Sequence, residues 1–86
     1  MDKKLELLRK IFKDKKKGEK IEVLEDDFKY LEDYFWLLSN LGLCGVRAKS
    51  VNWLICCDEY NGDIIINEID KIFDGPLPVT FYLRRR

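Results

Sequence analysis

The chain has 86 residues, of which 47% are hydrophobic and 37% are charged, and its 16 basic and 16 acidic residues give a formal net charge of zero. A chain of this length buries only roughly 60–65% of the surface that it exposes when unfolded, so we expect a single domain over residues 1–86. The apolar content argues against disorder, and no apolar run approaches the roughly 20 residues that cross a bilayer.

The three cysteines favour a reducing compartment over a disulfide framework. Their number is odd, and two of them, Cys56 and Cys57, are adjacent, so that they would point to opposite faces of a strand. Because the chain has no histidine and no C-x-x-C pair, we interpret these two and Cys44 as small buried hydrophobes and predict no metal or other cofactor. The first ten residues lack the apolar core of a signal peptide. We therefore expect a cytoplasmic protein.

Charge is segmented along the chain although its total is zero. Residues 1–20 carry nine basic and four acidic side chains, residues 21–34 carry six acids against Lys29, and residues 57–75 carry six acids against Lys71. Each of these runs is most simply explained as a solvated face. The zero total argues against strong nonspecific binding to nucleic acid.

The first predicted element is a helix that Asp2 caps and Gly18 ends. Its apolar stripe consists of Leu5, Leu8 and Phe12, widened by Leu7 and Ile11. The lysines at its end complement the negative pole of the helix dipole. Residues 21–24 then form a short apolar link, interpreted as a brief extended segment.

Residues 27–41, DFKYLEDYFWLLSNL, predict a second helix with more apolar surface than one core face can use. Its first stripe consists of Phe28, Leu31, Phe35 and Leu38, and Tyr30, Tyr34, Leu37 and Leu41 form a second stripe beside it. Asp26 or Asp27 is the expected N-cap, and Gly42 ends the helix. Trp36 falls among the polar positions, where a tryptophan usually contacts something beyond the first core.

A period of two from Val46 to Cys57 predicts a strand. Asn61-Gly62 predicts a type I′ hairpin turn after it, and residues 67–73 predict a short third helix. Residues 79–83 predict a last strand. The resulting fold class is α+β, in the order α-α-β-β-α-β, with two N-terminal helices packed on a three-stranded sheet that contains a β-hairpin.

A crossover through the third helix would make the last strand parallel to the second strand. The end of the last strand would then lie at the same edge of the sheet as the start of the first strand. That edge would bring Arg84, Arg85 and Arg86 close to Arg47 and Lys49. The acidic hairpin tip would lie at the opposite edge.

The residues expected of an enzyme are missing, and we predict a non-catalytic protein without a small-molecule substrate. The chain lacks histidine, the usual general base, and has no glycine-rich phosphate loop. Asp58, Glu59 and Asp63 are interpreted as solvated turn acids. Cys44 follows the end of a helix, where the dipole raises the pKa of a thiol and so makes it less reactive.

A helix, the sequence LGL and a hairpin make residues 27–67 resemble the recognition helix and wing of winged-helix domains. The resemblance implies a DNA- or RNA-binding regulator. In this chain, however, the segment before the helix leaves scarcely any room for the middle helix of a helix-turn-helix unit, and both the helix and the predicted tip are acidic. The basic surface for such an activity would consist of Arg47, Lys49, Arg84, Arg85 and Arg86. The three terminal arginines are also explained by a merely solubilising terminus.

The leading hypothesis is a protein–protein interaction module that uses the aromatic second helix. Its expected contact residues are Trp36, Tyr30, Tyr34, Glu32 and Asp33, since tryptophan and tyrosine are enriched in interface hot spots. The partner would be another protein or a second copy docked through helix 27–41. Small adaptors, inhibitors and accessory proteins, including those of viruses and mobile elements, act in this way. A competing explanation for Trp36 is that the hairpin or the first helix covers it.

Overall fold

A computed structural model describes residues 3–73 of the chain. The elements in chain order are α1 (Lys3–Phe12), β1 (Lys20–Val23), α2 (Glu25–Asn40), β2 (Gly45–Lys49), β3 (Asn52–Cys56) and α3 (Gly62–Phe73). The predicted α+β class, with helices packed on a three-stranded sheet that contains a hairpin, is confirmed. None of the helices in the described residues is both long and apolar enough to cross a membrane.

The sheet has β3 at its centre, with β1 and β2 antiparallel on either side. Val23, Trp53 and Ala48 stand opposite one another across the three strands, and Ile55 pairs with both Ile21 and Val46. Since side chains alternate between the faces of a strand, all of these residues point to one face. Val23 and Ile55 are buried in the core there. The opposite face carries Glu22, Arg47, Lys49 and Asn52 toward the hairpin turn, while Leu54 is half-buried and Cys56 is buried on it.

The core is formed by apolar side chains from all three helices and from β1 and β3. Its fully buried large residues are Phe12, Phe28, Phe35, Leu8, Leu31, Leu37, Leu38, Ile55, Ile65 and Ile69. The stripe predicted for the first helix and the first of the two stripes predicted for the second helix are therefore confirmed. In the other stripe of the second helix Leu37 is buried, whereas Tyr30 and Leu41 are exposed. Arg9 of α1 donates from Nε and Nη2 to Oδ1 of Asp70 on α3, at 2.9 and 2.7 Å, and so joins the two helices at the surface.

The segment between the first two helices is a strand. Lys20–Val23 pairs along β3, and the main chain continues this pairing where Cys57 N–H donates to the carbonyl of Glu19 at 2.9 Å. The first helix ends at Phe12, earlier than Gly18, which lies in the loop with φ 97° and donates to the carbonyl of Cys57. A helix-turn-helix unit is thus not present in residues 3–73, because β1 occupies the place of its middle helix.

The prediction of a single strand over Val46–Cys57 is wrong. A two-residue turn at Ser50-Val51 divides it into β2 and β3, with Lys49 and Asn52 as the closing pair. Ser50 adopts φ 56°, a left-handed conformation that non-glycine residues seldom take. The turn contains no Asn-Gly pair, so no local sequence signal predicted it.

The predicted hairpin turn at Asn61-Gly62 is also wrong, because Asn61 caps α3 and Gly62 is its first residue. Asn61 Oδ1 accepts a hydrogen bond from the N–H of Ile64 at 2.9 Å, which is an N-cap contact. Gly62 packs so closely on the end of α1 that a Cβ atom would overlap the carbonyl of Phe12. The helix buries Ile65, Ile69 and Ile72, and this helical spacing outweighs the β-propensity of isoleucine.

The expectation of a parallel last strand is not met within the described sheet, which is antiparallel throughout. Its premise fails because residues 62–66 belong to a helix and supply no strand for the crossover to leave. The predicted strand over 79–83 and the arginines at 84, 85 and 86 lie outside the described residues, as does the predicted cap Asp2.

Candidate functional site

The first turn of α2 is attached to the hairpin by a side chain from β3. The N-cap residue, Leu24, has extended backbone and offers no side-chain cap, so the prediction of Asp26 or Asp27 as the cap is wrong. Instead, Asn52 Oδ1 accepts from the N–H of Glu25 at 3.2 Å, while its Nδ2 donates to Oε2 of Glu22 at 3.0 Å. This amide thus links β1, α2 and β3.

The inner side of α2 is a cluster of aromatic rings against the sheet. Phe28 stacks on Phe35 with ring centroids 5.5 Å apart and on Trp53 of β3 at 4.2 Å, both nearly parallel to it. Trp36 stands at right angles to Phe28 and Trp53, with its centroid 6.0 Å from each. Such stacked and edge-on pairs add to the stabilisation that comes from burial alone. We call Phe28, Phe35, Trp36 and Trp53 the inner aromatic cluster.

Trp36 is therefore half-buried against the core, and the hairpin covers part of it. The contact of Trp36 with Trp53 of β3 supports the explanation that the hairpin covers this side chain. Only its remaining exposed part is available to a partner. The helical periodicity of α2 could not predict this contact, because Trp53 lies on β3.

The outer side of α2 carries the other predicted contact residues. Tyr30 is 47% exposed, whereas Tyr34 is half-buried with its ring edge-on to Phe73 of α3 at 4.8 Å. Lys4 of α1 lies over both rings, with its Nζ 5.1 Å from the centroid of Tyr30 and 5.9 Å from that of Tyr34. These distances suit cation–π attraction. Lys4 was missed by sequence reasoning, since only the folded chain brings α1 to this place.

The exposed surface of α2 is strongly acidic. The helix has five carboxylates, Glu25, Asp26, Asp27, Glu32 and Asp33, and one lysine, Lys29. All six of these side chains are exposed. Nζ of Lys29 lies 3.6 Å from Oε1 of Glu25, and the two residues form an i,i+4 ion pair at the surface. We call Asp26, Asp27, Tyr30 and Asp33 the acidic face of α2, because the three acids are three or four positions from Tyr30 and lie around it on the helix surface. Glu32 lies one turn before Trp36, on the other flank of the helix.

Two of the basic residues proposed for nucleic acid lie together. Arg47 and Lys49 are two positions apart on β2, exposed, and on the face of the sheet opposite the aromatic core. Lys49 Nζ donates to Oε1 of Glu22 at 3.1 Å, which offsets part of its charge. Hydrogen bonds from Asn52 and Lys49, with the charge of Lys49, hold the pKa of Glu22 below its ordinary value. Glu22 thus remains a carboxylate here, on a surface where phosphate would have to bind.

The three cysteines are free and buried, as predicted. Burial, followed by the charges of Cys57, Cys56 and Asp58, raises the pKa of Cys44 to about 12. The pKa of Cys57 is also raised, first by burial and then by nearby acidic groups. Thiols in this state are poor nucleophiles. Among residues 3–73, no three side chains of the metal-ligating types are grouped so that they could hold an ion.

Comparison of the chain with protein-family models, with curated proteins and with solved structures finds no match.

Proposed function

We propose that this protein is a non-catalytic protein-interaction module that docks a partner on the acidic face of α2. The observation that carries the proposal is that five exposed carboxylates and the exposed ring of Tyr30 share one helix whose single basic residue is Lys29. Side chains on this face are not needed to fill the core. They therefore supply a surface rather than a scaffold.

The chemistry of the face indicates the kind of partner. Clustered carboxylates attract a surface rich in lysine and arginine and speed its encounter. A tyrosine among them offers a large contact area and a hydroxyl group, the combination found at interface hot spots. The partner is then a protein with a basic docking surface, such as a nucleic-acid-handling enzyme. A second copy of this chain is a further option, and its basic segments would have to meet the acidic face.

Photo-crosslinking in the cells that make the protein tests the proposal. Benzoylphenylalanine at position 30 should form a discrete adduct with a partner, because this position lies on the proposed docking surface. Position 60 provides a matched control, since Tyr60 is 40% exposed and also stands among acids, Asp58, Glu59 and Asp63. Equal adducts from both positions, or none from position 30, would contradict the proposal.

A second candidate function is nucleic-acid binding by the exposed basic residues of β2. It is supported by the neighbouring side chains of Arg47 and Lys49 and by a hairpin tip, Ser50-Val51, that contains no acid. Tryptophan fluorescence during titration with random-sequence DNA and RNA at two salt concentrations tests it. Arg47→Ala should weaken binding and reduce the salt slope by about one, whereas Lys71→Ala on α3 should not. An unchanged slope in Arg47→Ala would remove this surface from consideration.

Both candidate functions fit a protein of a reducing cellular compartment that has no catalytic activity. The free thiols at 44, 56 and 57 suit a reducing compartment such as the cytoplasm. An adaptor, an inhibitor or an accessory protein of viral or mobile-element type would use such a module without any chemistry of its own.

A further inference from the structure

The register of the hairpin sets two of the three cysteines opposite each other. The ladder between β2 and β3 ends with Gly45 paired to Cys56. One step beyond it, the antiparallel register faces Cys44 with Cys57. Both side chains belong to the same buried core cluster, whereas Cys56 lies outside that cluster. Gly45 also lies beside Asp58, since a Cβ on Gly45 would stand 3.2 Å from Oδ2 of Asp58. The two segments of the hairpin therefore remain close beyond the last residue pair of the ladder.

The backbone identifies the kind of pair that these cysteines form. Cys57 directs both of its main-chain groups toward β1, donating to the carbonyl of Glu19 at 2.9 Å and accepting from the N–H of Gly18 at 2.8 Å. Toward Cys44 it therefore occupies a non-hydrogen-bonded position, at which facing Cα atoms are about 4.5 Å apart and side chains come closest. That separation lies at the short end of the range that a disulfide spans, roughly 4.4–6.8 Å.

We propose that Cys44 and Cys57 form a reversible cross-strand disulfide that locks the base of the hairpin under oxidising conditions. A low-molecular-weight disulfide such as oxidised glutathione supplies the oxidant. One thiolate attacks it to give a mixed disulfide, and the second thiolate displaces the remaining thiol. Two protein thiols thus become one S–S bond and lose two hydrogens, and the reagent is reduced to two thiols.

The bond would join two places that matter to the rest of the molecule. Cys44 follows the C-terminal turn of α2, and Cys57 precedes the segment that leads to α3. Oxidation therefore fastens the end of α2 to the central strand. Because burial raises the pKa of Cys44 to about 12, the thiolate is scarce at neutral pH. The lock should form slowly at pH 7 and faster as the pH rises.

Oxidation of the full-length protein tests the proposal. Wild-type protein is incubated with oxidised glutathione, free thiols are blocked by alkylation, and the peptides are mapped by mass. We expect a Cys44–Cys57 peptide pair that lacks two hydrogens, and an increase in Tm of about 10 °C that dithiothreitol reverses. A link through Cys56, a stable mixed disulfide with glutathione alone, or three unmodified thiols after oxidation at pH 9 would overturn the proposal.

Three single variants provide the matched controls. Cys56→Ala should keep both the link and the increase in Tm, because it leaves the facing pair intact. Cys44→Ala and Cys57→Ala should lose both. If Cys56→Ala also loses the link although its circular dichroism is native, the bond needs Cys56 and the proposal fails. If a variant does not fold, the peptide map of the wild-type protein decides alone.

Discussion

The two sides of α2 carry similar kinds of residues for different purposes. On the inner side, Phe28 and Trp36 are held against Trp53, and their rings extend the core across the helix onto the sheet. On the outer side, Tyr30 is half exposed among carboxylates and contacts Lys4. The aromatic residues of this one helix therefore lie on two different surfaces. Its tryptophan packs against the sheet, whereas Tyr30 is exposed to solvent.

The largest expected effect comes from the inner side. Phe28→Ala should destabilise the protein by about 3–5 kcal/mol, because it empties a fully buried position that stacks on two other rings. Chemical denaturation followed by far-UV circular dichroism measures the change. A loss below about 1 kcal/mol would mean that the inner aromatic cluster does not hold α2 to the sheet.

Trp36→Ala should have a smaller but clear effect of about 2 kcal/mol, since this side chain is half-buried. Trp36→Phe should recover much of the loss by keeping an aromatic ring against Trp53. Thermal unfolding of the two variants and the wild-type protein gives the comparison. If Trp36→Ala is as stable as the wild type yet loses its partner, the tryptophan belongs to the outer surface after all.

The pH dependence of the free energy of unfolding should report the burial of the Cys44 thiol, which lies just after α2. The pKa of Cys44 is raised from 9.0 to about 12 in the folded state. Its contribution to stability is therefore complete below pH 9 and declines by about 1 kcal/mol per pH unit as the pH rises toward 12. Because lysines and tyrosines titrate in the same range, the quantity to compare is the slope of wild type against Cys44→Ala. Identical slopes would show that the thiol is not desolvated.

The smallest effect on stability should come from the outer side. Tyr30→Ala should change the free energy of unfolding by no more than about 0.5 kcal/mol, as expected of an exposed position. Tyr60→Ala is the matched control and should behave in the same way. Only the variant at position 30 should weaken partner binding. A loss above about 1.5 kcal/mol in Tyr30→Ala would place its ring in the core and blur the contrast between the two sides.

The sequence predicted α2 well because its signals are local. The spacing of Phe28, Leu31, Phe35 and Leu38 defines the buried stripe, and Gly42, at φ 78°, ends the helix as expected. The acidic positions could also be read directly from the sequence. Helical periodicity requires no knowledge of what lies opposite.

The parts that sequence reasoning missed depend on distant residues. Asn61-Gly62 looks like a hairpin turn, but the glycine is needed where α3 touches the carbonyl of Phe12. The true turn at Ser50-Val51 has no glycine. Because this turn was not predicted, the register that places Cys44 opposite Cys57 could not be predicted either. The same holds for the contact of Trp53 with Trp36. Each of these features is fixed by tertiary packing rather than by a local signal.

The most direct test of the central claim repeats the crosslink from position 30 in two charge-reversed backgrounds. Asp26→Lys reverses a charge on the acidic face of α2 one helical turn from position 30, and Glu59→Lys reverses a charge at an exposed residue in the loop between β3 and α3. We expect the adduct from position 30 to disappear in Asp26→Lys and to persist in Glu59→Lys, with native circular dichroism in both. An adduct that persists in both backgrounds would contradict docking on the acidic face.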